Sequence, residues 1–245
     1  MKPVLKFTPI ELSIYERGKT FWYFSKAAPT GYSVTVDIDV THMLAVLKAS
    51  GKKFFPAYLW LATKIFCEQK EFCLAMQGKI LGFYNTLTPM YAVFHEDDKT
   101  FSLLWTEFDD NFSEFYSAYM SDKAAFGNSH GILAKKEPLP PQNAYTISCV
   151  PWISFKHFSV HSYENKEYYF PSVESGKFYK TAKRPLCPSP SPATTPQRTV
   201  GIFQGSLKSS PPKQTSLKNT FKHLSALYLE HEMFFSCSFL FSKRY

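Results

Sequence analysis

Histidine and serine are the residues of this chain best suited to acid–base or acyl-transfer chemistry. A histidine makes a good general base because its unperturbed pKa lies near neutral pH. Five histidines fall in the first three quarters of the 245 residues, at His42, His95, His130, His157 and His161. No Ser-His-Asp spacing and no nucleophile elbow accompanies them. The spacing of the histidines therefore identifies no catalytic base.

Cysteine chemistry is not indicated either. The five cysteines are odd in number and include no Cys-x-x-Cys pair: Cys67, Cys73, Cys149, Cys187 and Cys237. Paired spacings of that kind are what disulfide frameworks and zinc sites need. We expect neither a disulfide framework nor a metal site.

The net charge of +8 is concentrated at one end of the chain. Residues 180–245 hold ten of the 28 lysines and arginines but only two of the 20 acids, which leaves 18 of each before residue 180. A basic segment can bind nucleic acid, but this one has few interleaved aromatics and no nucleic-acid-binding motif. We therefore expect no nucleic-acid partner.

The first 179 residues have the patterns of a folded α/β domain. Proline at the start of 56–70 suits the first turn of a helix. Alternating apolar and polar residues predict strands, and acids at the start of 109–122 suit a helix dipole. The predicted strands are 32–40, 87–95 and 145–155, the last interrupted or ended at Pro151, and the predicted helices are 56–70 and 109–122. Alternating strands and helices indicate an α/β fold.

The composition changes at Lys180. Five prolines lie within twelve positions, at Pro185, Pro188, Pro190, Pro192 and Pro196. Proline lacks a backbone donor and disfavours helices and central strands. We therefore predict a domain over 1–179 and an irregular, poorly packed tail over 180–245.

Membrane insertion is not expected. No run of 18 apolar residues occurs, and the apolar run 233–241 is too short to span a bilayer. The first residues show no apolar signal core. We expect a cytoplasmic protein with no membrane partner.

Several segments resemble the chloramphenicol acetyltransferase family. They share its order and spacing over about 170 residues: YERGKTF (15–21), KFFP (53–56), FHE with TFS and LW (94–105), S with PWISF (148–155), and FP with GKFY (170–179). Each segment is weakly specific alone, but their common order is highly specific. The resemblance implies a two-layer α/β sandwich on a mixed sheet and a homotrimer with active sites between subunits. It also implies O-acetylation of chloramphenicol by acetyl-CoA.

The family's catalytic motif, H-H-x-x-x-D-G, is absent. It is expected soon after residue 190, where the chain instead reads PATTPQRTVG (192–201), and no two histidines are adjacent anywhere. Joining the third base of each codon to the first two bases of the next can encode CHHATTDGWH, with the third bases free. All ten places accommodate the motif in register. The sequence therefore predicts a reading-frame slip near Lys180, which would produce the prolines and the excess charge.

The resemblance also implies roles for individual residues. In the family, the second histidine of the missing motif takes the proton from the substrate hydroxyl, and a serine donates to the oxyanion. That serine matches Ser148; this residue by itself favours an ordinary strand serine, and the matching flanks favour the functional role. Arg17 matches an arginine that pairs with the missing motif's aspartate.

Two binding regions follow from the same resemblance. The chloramphenicol pocket matches Tyr23, Phe24, Tyr32, Phe101, Leu103 and Val160. The coenzyme A site matches Lys53, Phe55, Lys177 and Phe178, with lysines for phosphates and rings for adenine. Taken singly, the apolar residues could be core and the lysines solvated. Because the base is missing, we expect impaired or absent activity; the alternative is a non-catalytic remnant that binds ligand without turnover.

Overall fold

The structure is a computed structural model that describes residues 4–30, 34–155, 157–158, 167–181 and 184–191. Its strands are β1 (Phe7–Pro9), β2 (Val34–Asp39), β3 (Leu74–Gln77), β4 (Ile80–Tyr84), β5 (Thr88–Phe94), β6 (Phe101–Trp105), β7 (Ala144–Val150), β8 (Val173–Gly176), β9 (Tyr179–Thr181) and β10 (Arg184–Ser191). Its α-helices are α1 (Gly18–Trp22), α2 (Thr41–Ala49), α3 (Phe54–Cys67) and α4 (Phe112–Phe126). A π-helical turn (Tyr23–Ala27) follows α1, and a 3-10 turn (Lys70–Cys73) follows α3.

A mixed four-stranded sheet in the order β6-β5-β7-β8 forms the centre of the fold. β5 pairs antiparallel with β6, whereas β5 with β7 and β7 with β8 are parallel pairs. The predicted α/β fold on a mixed sheet is confirmed. The predicted strand at 145–155 ends with β7, directly before Pro151, where proline removes a ladder donor.

Helix α3 covers one face of this sheet and forms most of the core. Its residues are almost continuously buried, as expected for a helix enclosed on several sides. Two hydroxyl pairs are buried here: Thr63 of α3 with Tyr145 of β7 at 2.8 Å, and Tyr91 of β5 with Thr106, just after β6, at 2.9 Å. The indole of Trp60 donates to the Asp109 carbonyl at 2.9 Å. The hydroxyls of Tyr91 and Tyr145 and the indole N–H of Trp60 are therefore all hydrogen-bonded inside the core.

Helix α4 begins three residues after the start of the predicted helix 109–122. Asn111 is the N-cap, and its side chain accepts a hydrogen bond from the Ser113 amide at 2.9 Å. The helix runs to Phe126, four residues beyond the predicted 109–122, and buries Phe115 and Tyr119. Helices α3 and α4 contact each other.

Strand β10 differs from the irregular tail that the composition predicts. It pairs antiparallel with β2 along Leu186 to Ser191 and with β9 along Arg184 to Leu186. Pro188 and Pro190 lie beyond the short β9, where one side of β10 has no paired strand, and proline is tolerated at such an edge. The backbone of Arg184–Ser191 is thus a paired strand, while 192–245 lie outside the described residues, and the poor packing of 180–245 stays a prediction.

Besides the central sheet and the sheet β2-β10-β9, the described residues form a third sheet in the order β1-β4-β3. Among the helices of those ranges, none combines the length and apolarity needed to cross a bilayer.

Candidate active site

One row of side chains crosses the sheet on the face opposite α3. Leu103 of β6 pairs with Ala92 of β5, and Ser148 of β7 pairs with Glu174 of β8. The register Met90 to Thr146 between β5 and β7, continued by two residues, aligns Ala92 with Ser148. Residues in register share a face of a sheet. Two predicted site residues, Leu103 and Ser148, therefore lie on one face.

Ser148 is half-buried and lies beside a buried carboxyl group. Ser148 and Glu174 are neighbours in the β7–β8 ladder, and the hydroxyls of Ser148 and Ser172 lie close enough to favour the ionised form of Glu174. Glu174 is only 3% exposed. Burial raises the pKa of this carboxyl to about 7, and the two hydroxyls oppose the rise.

Phe101, one of the residues predicted for the apolar pocket, is exposed on the same face. Phe101 pairs with Phe94, two residues along the strands from the Leu103–Ala92 pair. The Phe94 ring contacts Trp152, with ring centroids 5.4 Å apart. Phe101 is 59% and Trp152 58% exposed. Tyr32 and Val160, which were also predicted for this pocket, lie outside the described residues.

The remaining predicted pocket residues lie after α1. Tyr23 and Phe24 occupy the π-helical turn, and their rings meet edge to face at 5.1 Å. Tyr23 is 51% exposed, so its ring is available to a ligand.

Arg17 is held by an ion pair. Its guanidinium lies 3.3 Å from the carboxylate of Glu71, and both side chains are about three-quarters or more buried. Glu16 provides a second, longer contact at 3.9 Å. Arg17 thus joins α1 to the turn after α3, and Glu71 is a partner that the sequence did not suggest.

The two predicted coenzyme segments converge at the beginning of α3. The rings of Phe54 and Phe178 meet edge to face at 4.7 Å, although 123 residues separate them along the chain. Lys53 and Lys177, each adjacent to one of these rings, are both exposed. The Lys177 amide donates to the Ile153 carbonyl at 2.9 Å and so fixes this segment next to β7.

Phe55, in contrast, points into the core. Its ring contacts Tyr91 at 5.7 Å and Tyr119 at 6.2 Å. Phe54, which the sequence analysis passed over, is the residue that reaches Phe178. The KFFP segment carries two adjacent rings on different faces of a helix, and sequence alone does not distinguish them.

Lys123 of α4 is a cation that the sequence analysis missed. Its pKa is lowered, mainly by partial burial and also by the charge of Lys53. Lys53 is placed by a hydrogen bond from its amide to the Tyr116 hydroxyl at 3.0 Å. Two lysines from different helices thus form a positive region at the beginning of α3, which suits a phosphate group.

The polar contacts of His95 and His130 are with residues other than Ser148. His95 is 5% exposed and its Nε2 lies 2.8 Å from the Ser102 hydroxyl. That hydroxyl donates to the Ser129 carbonyl at 2.9 Å, so His95 Nε2 must carry the proton and donate. His95 shares the core face with Val93 by strand parity, opposite the face of Ser148.

His130 belongs to a cluster with His95 and Asp97 whose ligand atoms lie within 4.8 Å of one another. Its nitrogens lie 2.9 Å from Asp98 and 3.3 Å from Asp97. The two imidazole rings are stacked 4.1 Å apart at 20°, so their in-plane lone pairs run side by side and do not converge on one ion. We interpret this cluster as an ion-pair network between two loops.

Known proteins match this chain over most of its length. A sequence model described as chloramphenicol acetyltransferase matches residues 5–190. A chloramphenicol acetyltransferase of Campylobacter coli is 34% identical over 72% of this chain and 83% of its own. Another, of Clostridium perfringens, is 32% identical over 75% and 84%. A solved structure of a chloramphenicol acetyltransferase has a TM-score of 0.70 at 17% identity, over 77% of this chain and 90% of its own. The chain belongs to the chloramphenicol acetyltransferase family.

Proposed function

We propose that the fold of this chain serves acetyl transfer from acetyl-CoA to a hydroxyl of chloramphenicol, and that the present reading frame impairs or abolishes the reaction. Relatives named for that activity support the chemistry. The observation that carries the proposal is the row on the open sheet face, where Ser148 lies in register with Leu103 and near Phe101.

The proposed reaction needs a base and an oxyanion donor. A base removes the proton of the substrate hydroxyl, and the oxygen attacks the thioester carbonyl of acetyl-CoA. The tetrahedral intermediate places negative charge on the former carbonyl oxygen and then expels the coenzyme thiolate. Ser148 would donate a hydrogen bond to that oxygen, an effect worth about 3 kcal/mol for one such donor.

The coenzyme would lie at the beginning of α3. Lys53 and Lys123 form a positive region there, and Lys177 lies next to the Phe178 ring that contacts Phe54. Lysines can neutralise phosphates, and exposed rings can stack on a base. Phe178 and Phe54 are the rings we assign to adenine, since Phe55 packs in the core.

The missing group is the base. The family match ends at residue 190, directly before the segment whose neighbouring frame can encode CHHATTDGWH. A slip near Lys180 accounts for the absence of an adjacent histidine pair. His95, buried behind the sheet, is not positioned to replace the base.

A homotrimer would cover the open face of the sheet. The exposed apolar side chains Phe94, Phe101, Trp152 and Ile153 favour association with a second copy. Chloramphenicol would then bind between two subunits. A cytoplasmic location, expected from the sequence, stays a prediction.

The test compares acetyl transfer to chloramphenicol by the chain as it stands and by a version with the neighbouring frame restored from Lys180. Loss of a general base typically costs on the order of 10²–10⁴-fold in rate, and we expect at least that difference. A restored version lacking only the second motif histidine is the matched control and should fall back to the lower rate. Full activity of the chain as it stands would contradict the frame account.

The alternative is a remnant that binds ligand without turnover, which the converging coenzyme segments and the missing base favour together. Calorimetry with acetyl-CoA distinguishes the two. Binding to the chain as it stands, with no turnover before or after frame restoration, would support the remnant.

A further inference from the structure

Glu174 is a buried carboxyl group that the sequence analysis did not single out. It lies directly opposite Ser148 in the parallel ladder between β7 and β8. It is 3% exposed, and the hydroxyls of Ser148 and Ser172 lie close enough to lower its pKa. None of the described residues forms a salt bridge with it. A carboxylate without a cation in such a place is costly to bury, which makes its position next to Ser148 informative.

The protonation state of Glu174 decides what the Ser148 hydroxyl can do. A hydroxyl has one proton to donate, and an ionised carboxylate can only accept. When Glu174 is ionised, Ser148 must therefore donate to it and has no proton left for an oxyanion. When Glu174 is neutral, its own O–H group can act as the donor. The Ser148 hydroxyl is then free to donate its hydrogen bond to an oxyanion.

Charge acts in the same direction. An ionised Glu174 would lie next to Ser148 and therefore close to the oxyanion that Ser148 is proposed to bind. Like charges at short range destabilise each other. Both effects make the ionised form the inactive one.

We propose that Glu174 is a positioning residue of the acetyl-transfer site: its ionised form holds the Ser148 proton, and its neutral form frees that proton for the oxyanion. The inference rests on the proposed function, because it assigns Ser148 to the oxyanion. It adds a residue and a pH dependence to that assignment.

Glu174 is the one carboxyl group on β7 and β8. On β7, Cys149 is a thiol whose pKa is raised by burial and by the charge of Glu174, and Tyr145 is a phenol whose pKa is raised well above its usual value by burial. β10 packs against β8 and carries Arg184 and Cys187 as its titratable residues. Neither the thiols nor the phenol normally ionises below pH 8.

The first experiment measures the carboxyl directly in the full chain by infrared titration. A protonated-carboxyl band should disappear with a midpoint near pH 7 and be absent from Glu174→Gln. Ser148→Ala should raise the midpoint by roughly one pH unit, because the serine bond stabilises the carboxylate. Ser148→Thr keeps a hydroxyl and should restore the midpoint.

Ser175→Ala is the matched control. Ser175 is the neighbouring serine on the opposite face of β8, bonded to the Ser148 carbonyl at 3.3 Å, and its loss should leave the midpoint unchanged. A midpoint that does not respond to Ser148→Ala, or a band that persists in Glu174→Gln, overturns the inference.

The second experiment compares pH–rate profiles of the frame-restored chain with and without Glu174→Gln. The version with Glu174 should lose roughly tenfold in rate per pH unit above its midpoint, down to a loss of about 10²-fold, and the Gln version should not. Parallel profiles overturn the inference. If no version transfers acetyl while the infrared shift is present, the proposed function fails and the hydrogen-bond assignment stands.

Discussion

The two faces of the central sheet differ in how their side chains are buried and hydrogen-bonded. On the face toward α3, Tyr91 and Tyr145 are fully buried and their hydroxyls are bonded to threonines. On the other face, Phe101 is mostly exposed while Glu174 is buried without a cation among the described residues. The face toward α3 is part of the buried core, whereas the other face combines exposed apolar side chains with the buried carboxyl group of Glu174.

The difference shows where the fold gains stability and where it has room for chemistry. Close packing and satisfied hydroxyls stabilise the α3 face. A catalytic face needs polar groups that are not fully satisfied, together with apolar surface for a ligand or another subunit. Four predictions test this contrast, from the largest expected effect to the smallest.

Leu103 and Leu104 are adjacent leucines on opposite faces of β6. Leu104 is 0% exposed in the core, while Leu103 is half-buried on the open face. Leu104→Ala should lower the free energy of unfolding by about 2–5 kcal/mol through the cavity it leaves, and Leu103→Ala by clearly less. Urea unfolding measures both. Equal losses would mean that the two faces are equally packed.

Glu174 should make stability depend on pH. Its pKa rises from 4.5 to about 7 on folding, so the folded state holds the proton more tightly. The stabilisation is present below pH 4.5 and is lost as the pH rises through 7. Relative to Glu174→Gln, the native chain should therefore lose about 3 kcal/mol between pH 4.5 and 8. A constant difference across that range in urea unfolding would rule out the raised pKa.

Tyr145→Phe tests hydrogen bonding on the core face. Thr63 donates to the Leu59 carbonyl at 2.7 Å, so the Tyr145 hydroxyl must donate to Thr63. Removing it keeps the ring and should cost about 1 kcal/mol, measured by thermal unfolding. Tyr23→Phe, on an exposed ring, is the control and should change little; an equal loss there would refute the contrast.

Phe101→Ser should have the smallest effect on the stability of the single chain, within about 0.5 kcal/mol, because the side chain is 59% exposed. It should weaken self-association if another subunit covers the open face. Sedimentation velocity measures this. Ile80→Ser, equally exposed on β4 at 54%, should leave association unchanged, and a matching loss there would argue against the open face as the interface.

Much of the fold could be predicted because its signals are local. Helix α3 follows from a long apolar segment with proline in its first turn, and β7 ends before Pro151 because proline lacks a donor. Strand β10 could not be predicted, because pairing with β2 is a long-range event that overrides local composition.

The sequence by itself determined the family, the α/β class and the absence of the histidine motif, because ordered motifs and missing residues can be read without coordinates. Only the tertiary structure decided that Phe54, and not Phe55, meets Phe178, that Glu71 pairs with Arg17, and that Glu174 lies against Ser148. These contacts join residues far apart in the chain, and the register of a parallel ladder fixes which carboxyl faces which hydroxyl. Burial then sets the pKa of that carboxyl, and burial is a property of the packed chain.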